Sequence, residues 1–265
     1  MDFSILIAVP TKNSSKVLPT LIESLNSQTL QNWKVLFIDG SSSLNEIIWL
    51  ENFCKNNEKY NLVKEDKSAG GIYGAMNKAF EIIDDNDWLV FWGSDDFAFC
   101  INIIELICNQ IKKDLRNGYY FDLIIYKGNY FCRDQNLHKR VSFFSNKEEI
   151  LNSTQYKTNL FFGSSLPHQG VIFSPKVRRR KLIYNINYKL AADLEYFLRL
   201  AKVKDLKVKT YKNKIVSIGE NGVSSKKYFL RTYEVLILYL KFFRILFFVP
   251  FLFRYLRRII SLVKK

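Results

Sequence analysis

Trp88-Leu89-Val90-Phe91-Trp92-Gly93-Ser94-Asp95-Asp96 runs from an unbroken apolar stretch into two adjacent carboxylates. A short run this apolar reads as a strand buried on both faces, as in a parallel sheet covered by helices. The two acids at its end repel each other and must face either water or a cation. Hard divalent ions take oxygen ligands and are often shared between one or two carboxylates and substrate phosphates. Asp95 and Asp96 therefore admit two readings, a metal–diphosphate clamp or a strand-to-helix turn with Asp as cap.

Upstream, short β-rich runs alternate with amphipathic helical stretches, with strands over 3–9, 33–39, 61–65 and 88–91 and helices over 17–28, 44–56 and 73–83. Strands separated by helices of this length predict βαβ units, hence an α/β fold with a Rossmann-like, mostly parallel sheet flanked by helices. Ligands in such sheets bind beyond the strand C-termini. Four of those termini carry polar residues: Pro10-Thr11-Lys12-Asn13, Asp39-Gly40-Ser41-Ser42-Ser43, Glu65-Asp66 and Asp95-Asp96. Neither a P-loop nor G-x-G-x-x-G is present, which argues against kinases, ATPases and dinucleotide dehydrogenases. Asp39 can accept hydrogen bonds from a base or ribose, and 40–43 is also an ordinary polar turn.

Downstream, the pattern predicts a helix over 101–115, strands over 121–126 and 130–133, and a polar loop over 152–163. His168 and Gln169 lie in a loop feeding a strand that ends at Phe173. His168 is either a metal or diphosphate contact or a hydrogen-bonded structural group. The basic run Arg178-Arg179-Arg180-Lys181 is either a solvated face or a phosphate contact. A helix over 188–200 places Asp193 near its start, as an N-cap or as a general base.

The chain has 265 residues, 48% of them hydrophobic, enough for one substantial core. Its four cysteines are widely spaced, with no C-x-x-C pair, and read as buried thiols in a reducing compartment. No basic, apolar leader precedes the first strand, which predicts a cytoplasmic protein. The net charge of +15 calls for an anionic partner. After Glu234 there are no acids, and Lys241, Arg244, Arg254, Arg257, Arg258, Lys264 and Lys265 are interleaved with Phe, Leu, Ile, Val and Tyr. That mixture favours an anionic membrane surface over nucleic acid. Cations inside the apolar run and Pro250 near its middle predict two interfacial helices on the inner face of the cell membrane in place of a single span; a helix pair packed on protein is the other reading.

In this order the residues resemble the GT-A-fold, family 2 glycosyltransferases, above all the bacterial branch that builds exopolysaccharide, O-antigen and capsule. The resemblance runs from about Phe3 to Glu234. Segment 4–13 is similar to the family's opening strand and nucleotide loop, and 37–42 to its strand ending in a base-contacting acid. Asp66-Lys67-Ser68-Ala69-Gly70-Gly71-Ile72-Tyr73-Gly74-Ala75-Met76-Asn77-Lys78-Ala79, the most specific stretch, resembles a segment beside the donor diphosphate. The resemblance implies donor contacts at Pro10, Thr11, Lys12, Asn13, Asp39, Asp66, Gly71, Asn77, Lys78 and Asp95. It also implies a Mn²⁺ or Mg²⁺ on Asp96, aided by Asp95, and His168 and Gln169 on the acceptor and diphosphate side, with Asp193 as catalytic base. Gly219-Glu220-Asn221-Gly222-Val223-Ser224-Ser225, with Arg231 and Glu234, is similar to the branch's closing signature. Two departures are Gly74, where relatives often carry Asp, and Ser94-Asp95-Asp96 in place of Asp-x-Asp.

The implied activity is metal-dependent, inverting sugar transfer from a UDP-, GDP- or dTDP-linked donor to a lipid-linked glycan. The expected organisation is a nucleotide-sugar half over 1–98, an acceptor half over 99–233 and a basic amphipathic tail over 234–265. The competing readings are a nucleotidylyltransferase, which lacks its usual Gly-rich basic loop here, and a non-catalytic membrane-anchored nucleotide-sugar scaffold.

Overall fold

The computed structural model describes residues 3–65, 70–220 and 227–263, the last six as backbone. Four strands build the first half of the sheet: β1 (Ile5–Thr11), β2 (Trp33–Asp39), β3 (Tyr60–Lys64) and β4 (Trp88–Phe91). They lie parallel in the order β3-β2-β1-β4 and are joined by α1 (Leu18–Asn26), α2 (Leu44–Lys55) and α3 (Ile72–Ile82). Helix α1 shows why local sequence suffices here: Pro19 opens it, and Leu18, Leu21, Ile22 and Leu25 form its single buried stripe.

The second half is mixed. After the two-residue β5 (Phe97–Ala98) come α4 (Ile103–Arg116), β6 (Leu123–Cys132), β7 (Leu137–Ser142), β8 (Glu149–Asn152), α5 (Ser153–Phe161), β9 (Val171–Phe173), α6 (Pro175–Arg178), α7 (Ala192–Leu200) and β10 (Lys207–Gly219). Strand β9 runs antiparallel between β4 and β6, and β6 lies parallel to β10, giving one sheet ordered β3-β2-β1-β4-β9-β6-β10-β5. Its two faces hold separate cores. Leu89 and Phe91 of β4 pack under α3 and α7, while Trp88, Val90 and Trp92 pack on the face of α1 and α4. The opening strand is thus buried on both sides, as its composition predicts.

Several boundaries differ from the sequence reading. Segment 152–163 is not a loop: Asn152 and Gln155 form a capping box that starts α5. The runs at 121–126 and 130–133 belong to one strand, β6, and the helix bearing Asp193 begins at Ala192. Cys108 and Cys132 are buried, but Cys100 is exposed, and all four thiols are free. Two residues of the basic run are structural: Arg178 donates to the carbonyls of Asp84, Asp85 and Asp87, and Arg180 joins buried Asp122 at 2.6 Å to Asp205 at 3.0 Å, while Arg179 and Lys181 are exposed.

At the C-terminus, residues Tyr228–Arg257 are long and apolar enough to cross a membrane by length and composition alone. The chain instead forms α8 (Tyr228–Phe243) and α9 (Phe248–Val263), separated by a turn at Arg244 with φ of 49°. Tyr255 donates to the Thr232 hydroxyl (3.2 Å) and Arg254 to the Tyr239 hydroxyl (3.4 Å), so the two helices fold back on each other as a hairpin. Each arm of 16 residues reaches about 24 Å, less than a bilayer core of about 30 Å. The break falls at 244–247 and not at Pro250, which occupies the first turn of α9, where proline is tolerated. The hairpin packs on the domain through Phe161–Phe243 and Phe162–Phe253 ring contacts.

Candidate active site

Strand register aligns the polar termini. Thr11 pairs with Asp39 and Asp39 with Lys64, so β1, β2 and β3 end side by side at one edge of the sheet. The loops after β1 and β2 are tied to one another: Gly40 N–H donates to Thr11 O (2.8 Å), Asn13 N–H to Ser42 Oγ (2.8 Å) and Ser43 N–H to Asn13 Oδ1 (2.8 Å). Asp39 is buried, accepting Ser42 N–H at 3.0 Å on one oxygen and the Ser42 hydroxyl on the other. Each oxygen keeps a lone pair for a ligand hydroxyl or ring N–H. Burial, then the nearby Asp39 charge, pushes the Glu65 carboxyl up. Lys12 and Asn13 are exposed and Pro10 half-buried. Asp66 lies outside the described residues, as does most of the closing signature beyond Glu220. Gly71 opens α3 with φ of 71°, a conformation that favours glycine.

Strand β4 stops opposite Ala8, earlier than its neighbours, and 92–96 turn across the sheet toward the end of β10. There β5 pairs antiparallel with β10, Phe97 against Ser217, which brings Gly219 onto the two acids. Asp96 is 1% exposed and accepts Gly93 N–H (2.6 Å) and Gly219 N–H (2.9 Å). Burial, reinforced by the Asp95 charge, pushes its carboxyl up to about 8 against the pull of those N–H groups and of Arg133. Arg133, at the tip of β6, donates to the Asp95 carbonyl at 3.5 Å. Asp95 is half-buried, its carboxyl lying against the α-carbon of Gly219. The pair thus reverses the expected emphasis, with Asp95 accessible and Asp96 sealed beneath it with both oxygens on backbone. Two close carboxylates lacking a full counter-charge fit a divalent ion that substrate phosphates would complete. No cluster of three or more His, Cys, Asp or Glu that could hold a metal occurs among the described residues.

Asp193 is not the N-cap of α7; Ala191 holds that position. The half-buried Asp193 carboxylate accepts the Tyr73 hydroxyl at 3.3 Å. Tyr73 packs on Tyr184, whose hydroxyl meets His168 Nε2 at 2.8 Å. The carbonyl of Gln169 accepts Trp92 Nε1–H at 3.1 Å, and Trp92 precedes the acidic turn. A packed and hydrogen-bonded path therefore joins Asp193 to the Asp95–Asp96 turn.

Three of the candidate residues have their side chains engaged within the fold. His168 stacks on Phe91 and is enclosed by Phe173, Tyr184 and Phe197, the arrangement of a hydrogen-bonded structural group, the second of its two readings. Burial lowers its pKa. The Asn77 amide spends both ends on the backbone of Tyr184, donating to its carbonyl (2.9 Å) and accepting its N–H (2.7 Å). Lys78 is exposed and pairs with Glu81 at 2.8 Å. Conversely, Tyr73, Arg133 and Tyr184 were given no role from sequence. Tyr73 stands in the specific donor-side stretch, whereas nothing in the local pattern marks Arg133 or Tyr184.

The profile of Glycosyl transferase family 2 matches residues 6–185. A PGL/p-HBAD biosynthesis glycosyltransferase of Mycobacterium bovis is 25% identical over 202 residues, covering 74% of this chain and 68% of the relative. S. aureus TarS 1–349, solved with UDP-GlcNAc, superposes with a TM-score of 0.67 at 14% identity over 90% of this chain. The mannosyltransferase PcManGT of Pyrobaculum calidifontis, solved with GDP-Man and Mn²⁺, superposes with a TM-score of 0.60 at 12% identity over 91% of this chain. The chain spans 66% and 64% of those two solved chains, respectively, so both extend beyond it.

Proposed function

This chain belongs to glycosyl transferase family 2, and from that premise we propose that it transfers a sugar, with inversion, from a nucleoside-diphosphate donor to a membrane-borne glycan acceptor. The observation that carries the reading is the meeting of Asp95, Asp96 and Gly219 at the sheet's C-terminal edge, joined to Asp193 by an unbroken packed path. The nucleoside sits over the loops after β1 and β2, with Asp39 accepting from base or ribose. Asp95, with Asp96 beneath it, would hold Mn²⁺ or Mg²⁺, which as a Lewis acid neutralises charge on the departing diphosphate. Asp193 takes the proton of the attacking acceptor hydroxyl, and Tyr73 orients that carboxylate by donating to it. Because Tyr73 is buried, its hydroxyl pKa is raised and it stays a donor. The structures solved with UDP-GlcNAc and with GDP-Man and Mn²⁺ support a nucleotide-sugar donor and a divalent ion.

The outward face of the hairpin supports the membrane half of the reading. Phe229 and Ile245 are 89% and 83% exposed, and Lys241 and Arg244 are exposed on the same hairpin, a mixture suited to an anionic leaflet on the cytoplasmic side. The purified chain should hydrolyse at least one of UDP-GlcNAc, UDP-glucose, GDP-mannose or dTDP-rhamnose with Mn²⁺, releasing sugar of inverted anomeric configuration by NMR. It should also sediment with vesicles containing phosphatidylglycerol. Retained configuration would overturn the single-displacement role of Asp193, and no turnover of any donor would overturn sugar transfer itself.

A further inference from the structure

Helix α7 begins without a cap of its own, since Ala191 at the N-cap has no side-chain acceptor. The acceptor comes from a helix far along the chain. Glu234 of α8, 7% exposed, accepts Lys189 N–H (2.8 Å) on one carboxylate oxygen and Leu190 N–H (2.9 Å) and Ala191 N–H (2.9 Å) on the other. One carboxylate thus gathers three consecutive backbone amides, and the next residues are Ala192 and Asp193. No cation pairs with Glu234 among the described residues, so these amides are its main compensation.

The same helix brings the fold-back arm. Arg254 of α9 donates to Tyr239 of α8 and is near enough to Asp193 for that carboxylate to favour its charged form. On the other side Tyr73 donates to Asp193. The carboxylate of Asp193 is therefore placed by a loop that the C-terminal hairpin holds.

We propose that Glu234 is a positioning residue for Asp193, so that the C-terminal hairpin is part of the catalytic apparatus as well as a surface element. This rests on the sugar-transfer reading above. Removing the carboxylate frees 189–191, and a shift of about 1 Å in a catalytic group can cost roughly 10²-fold in rate.

The test uses the full chain and hydrolysis of whichever donor in the panel above the wild type turns over with Mn²⁺. Glu234→Ala should lower kcat about 10²-fold with donor KM within about twofold, because the donor side is untouched. Glu234→Gln, isosteric and keeping one acceptor oxygen, should fold like wild type and fall between the two. Because Glu234 acts through Asp193, Asp193→Asn/Glu234→Gln should be no slower than Asp193→Asn alone. The amides of Lys189, Leu190 and Ala191 should exchange faster with solvent in Glu234→Gln. Multiplying losses in the double variant, an unchanged kcat despite faster exchange, or kcat and KM changing only with the folded fraction would each overturn the proposal. If Glu234→Ala fails to fold, Glu234→Gln carries the comparison. A wild type inactive on every donor would defeat the sugar-transfer reading instead, and unchanged amide exchange in Glu234→Gln would then still overturn the positioning role.

Discussion

Gly219→Ala isolates the contact between the two carboxylates and the end of β10. An ideal β-carbon at 219 stands 2.9 Å from the Asp95 β-carbon and closer still to its carboxylate. Carbon atoms pack comfortably at about 3.5 Å or more, so the Asp95 side chain must turn away and its carboxylate shift by on the order of 1 Å. The Asp95 β-carbon is fixed to backbone, so a swing of the side-chain tip alone does not relieve the overlap. Misplacement on that scale predicts a kcat lower by roughly 10²-fold, about 2.7 kcal/mol of barrier. Overpacking should cost a further ~1–3 kcal/mol of stability. Gly128→Ala is the control: on the neighbouring strand β6, its β-carbon meets the side chains of Ile218 and Val216 and neither acid. Both variants should lose stability in urea titrations, and only Gly219→Ala should also weaken Mn²⁺ activation and lower kcat. A Gly219→Ala enzyme with wild-type kcat and Mn²⁺ titration would refute the placement of Asp95 in the reacting centre.

Asp193→Asn should reduce kcat by about 10²–10⁴-fold, the usual worth of a general base, while thermal melting and donor binding measured by calorimetry stay near wild type. His168 has its pKa lowered by burial, so the folded chain keeps it neutral where the unfolded chain, near 6.5, takes up a proton. The stability it contributes is complete above about pH 6.5 and declines as the pH falls below that value; His168→Gln should show a shallower loss between pH 7.5 and 5 in urea unfolding, and an identical slope would count against it. Gly163 has φ of +75°, and a β-carbon there would strike the backbone of Phe253 and Arg254. Gly163→Ala should therefore loosen α9 from α5, at ~1–3 kcal/mol, and expose the hairpin to limited proteolysis while 3–220 stays intact.

The first half of the sheet was legible because its determinants are local. Each strand from β1 to β4 is a short apolar run, each intervening helix has its own stripe, and parallel order follows from their alternation. Once the strands are parallel, Pro10–Asn13, Asp39, Glu65 and Asp95–Asp96 must emerge at one edge. The same local reading could not rank Asp95 against Asp96, because the difference is made by Gly219, 123 residues beyond Asp96, whose N–H takes one oxygen of Asp96 while its α-carbon packs on Asp95. Nor could it find the work of Asn77 or choose between the two readings of His168. Both are polar residues in a motif-rich stretch, yet each has its side chain committed to Tyr184, which no periodicity connects to them. Of the mixed strands, β9 was read, β6 was read as two runs, and β10 was missed: its pairing partners lie far along the chain, and it carries Lys at 207, 209, 212 and 214, which masks its alternation.

The C-terminal segment shows the limit of amphipathicity as a signal. A stripe of apolar residues at helical spacing satisfies a bilayer and a protein surface equally, since both remove the same area from water. In α8 the two uses divide the circumference. Glu234, Val235, Leu238 and Tyr239 are buried against the domain, and Phe229, Tyr233 and Leu240 face outward. The decisive residue is the acid: a carboxylate on a helix meant only for lipid would be costly, whereas Glu234 is satisfied by three amides of the loop before Asp193. Glu234, the last acid in the sequence, therefore ties the hairpin to the loop before Asp193. On the proposed function, binding at a leaflet and ordering of Asp193 would be properties of a single hairpin.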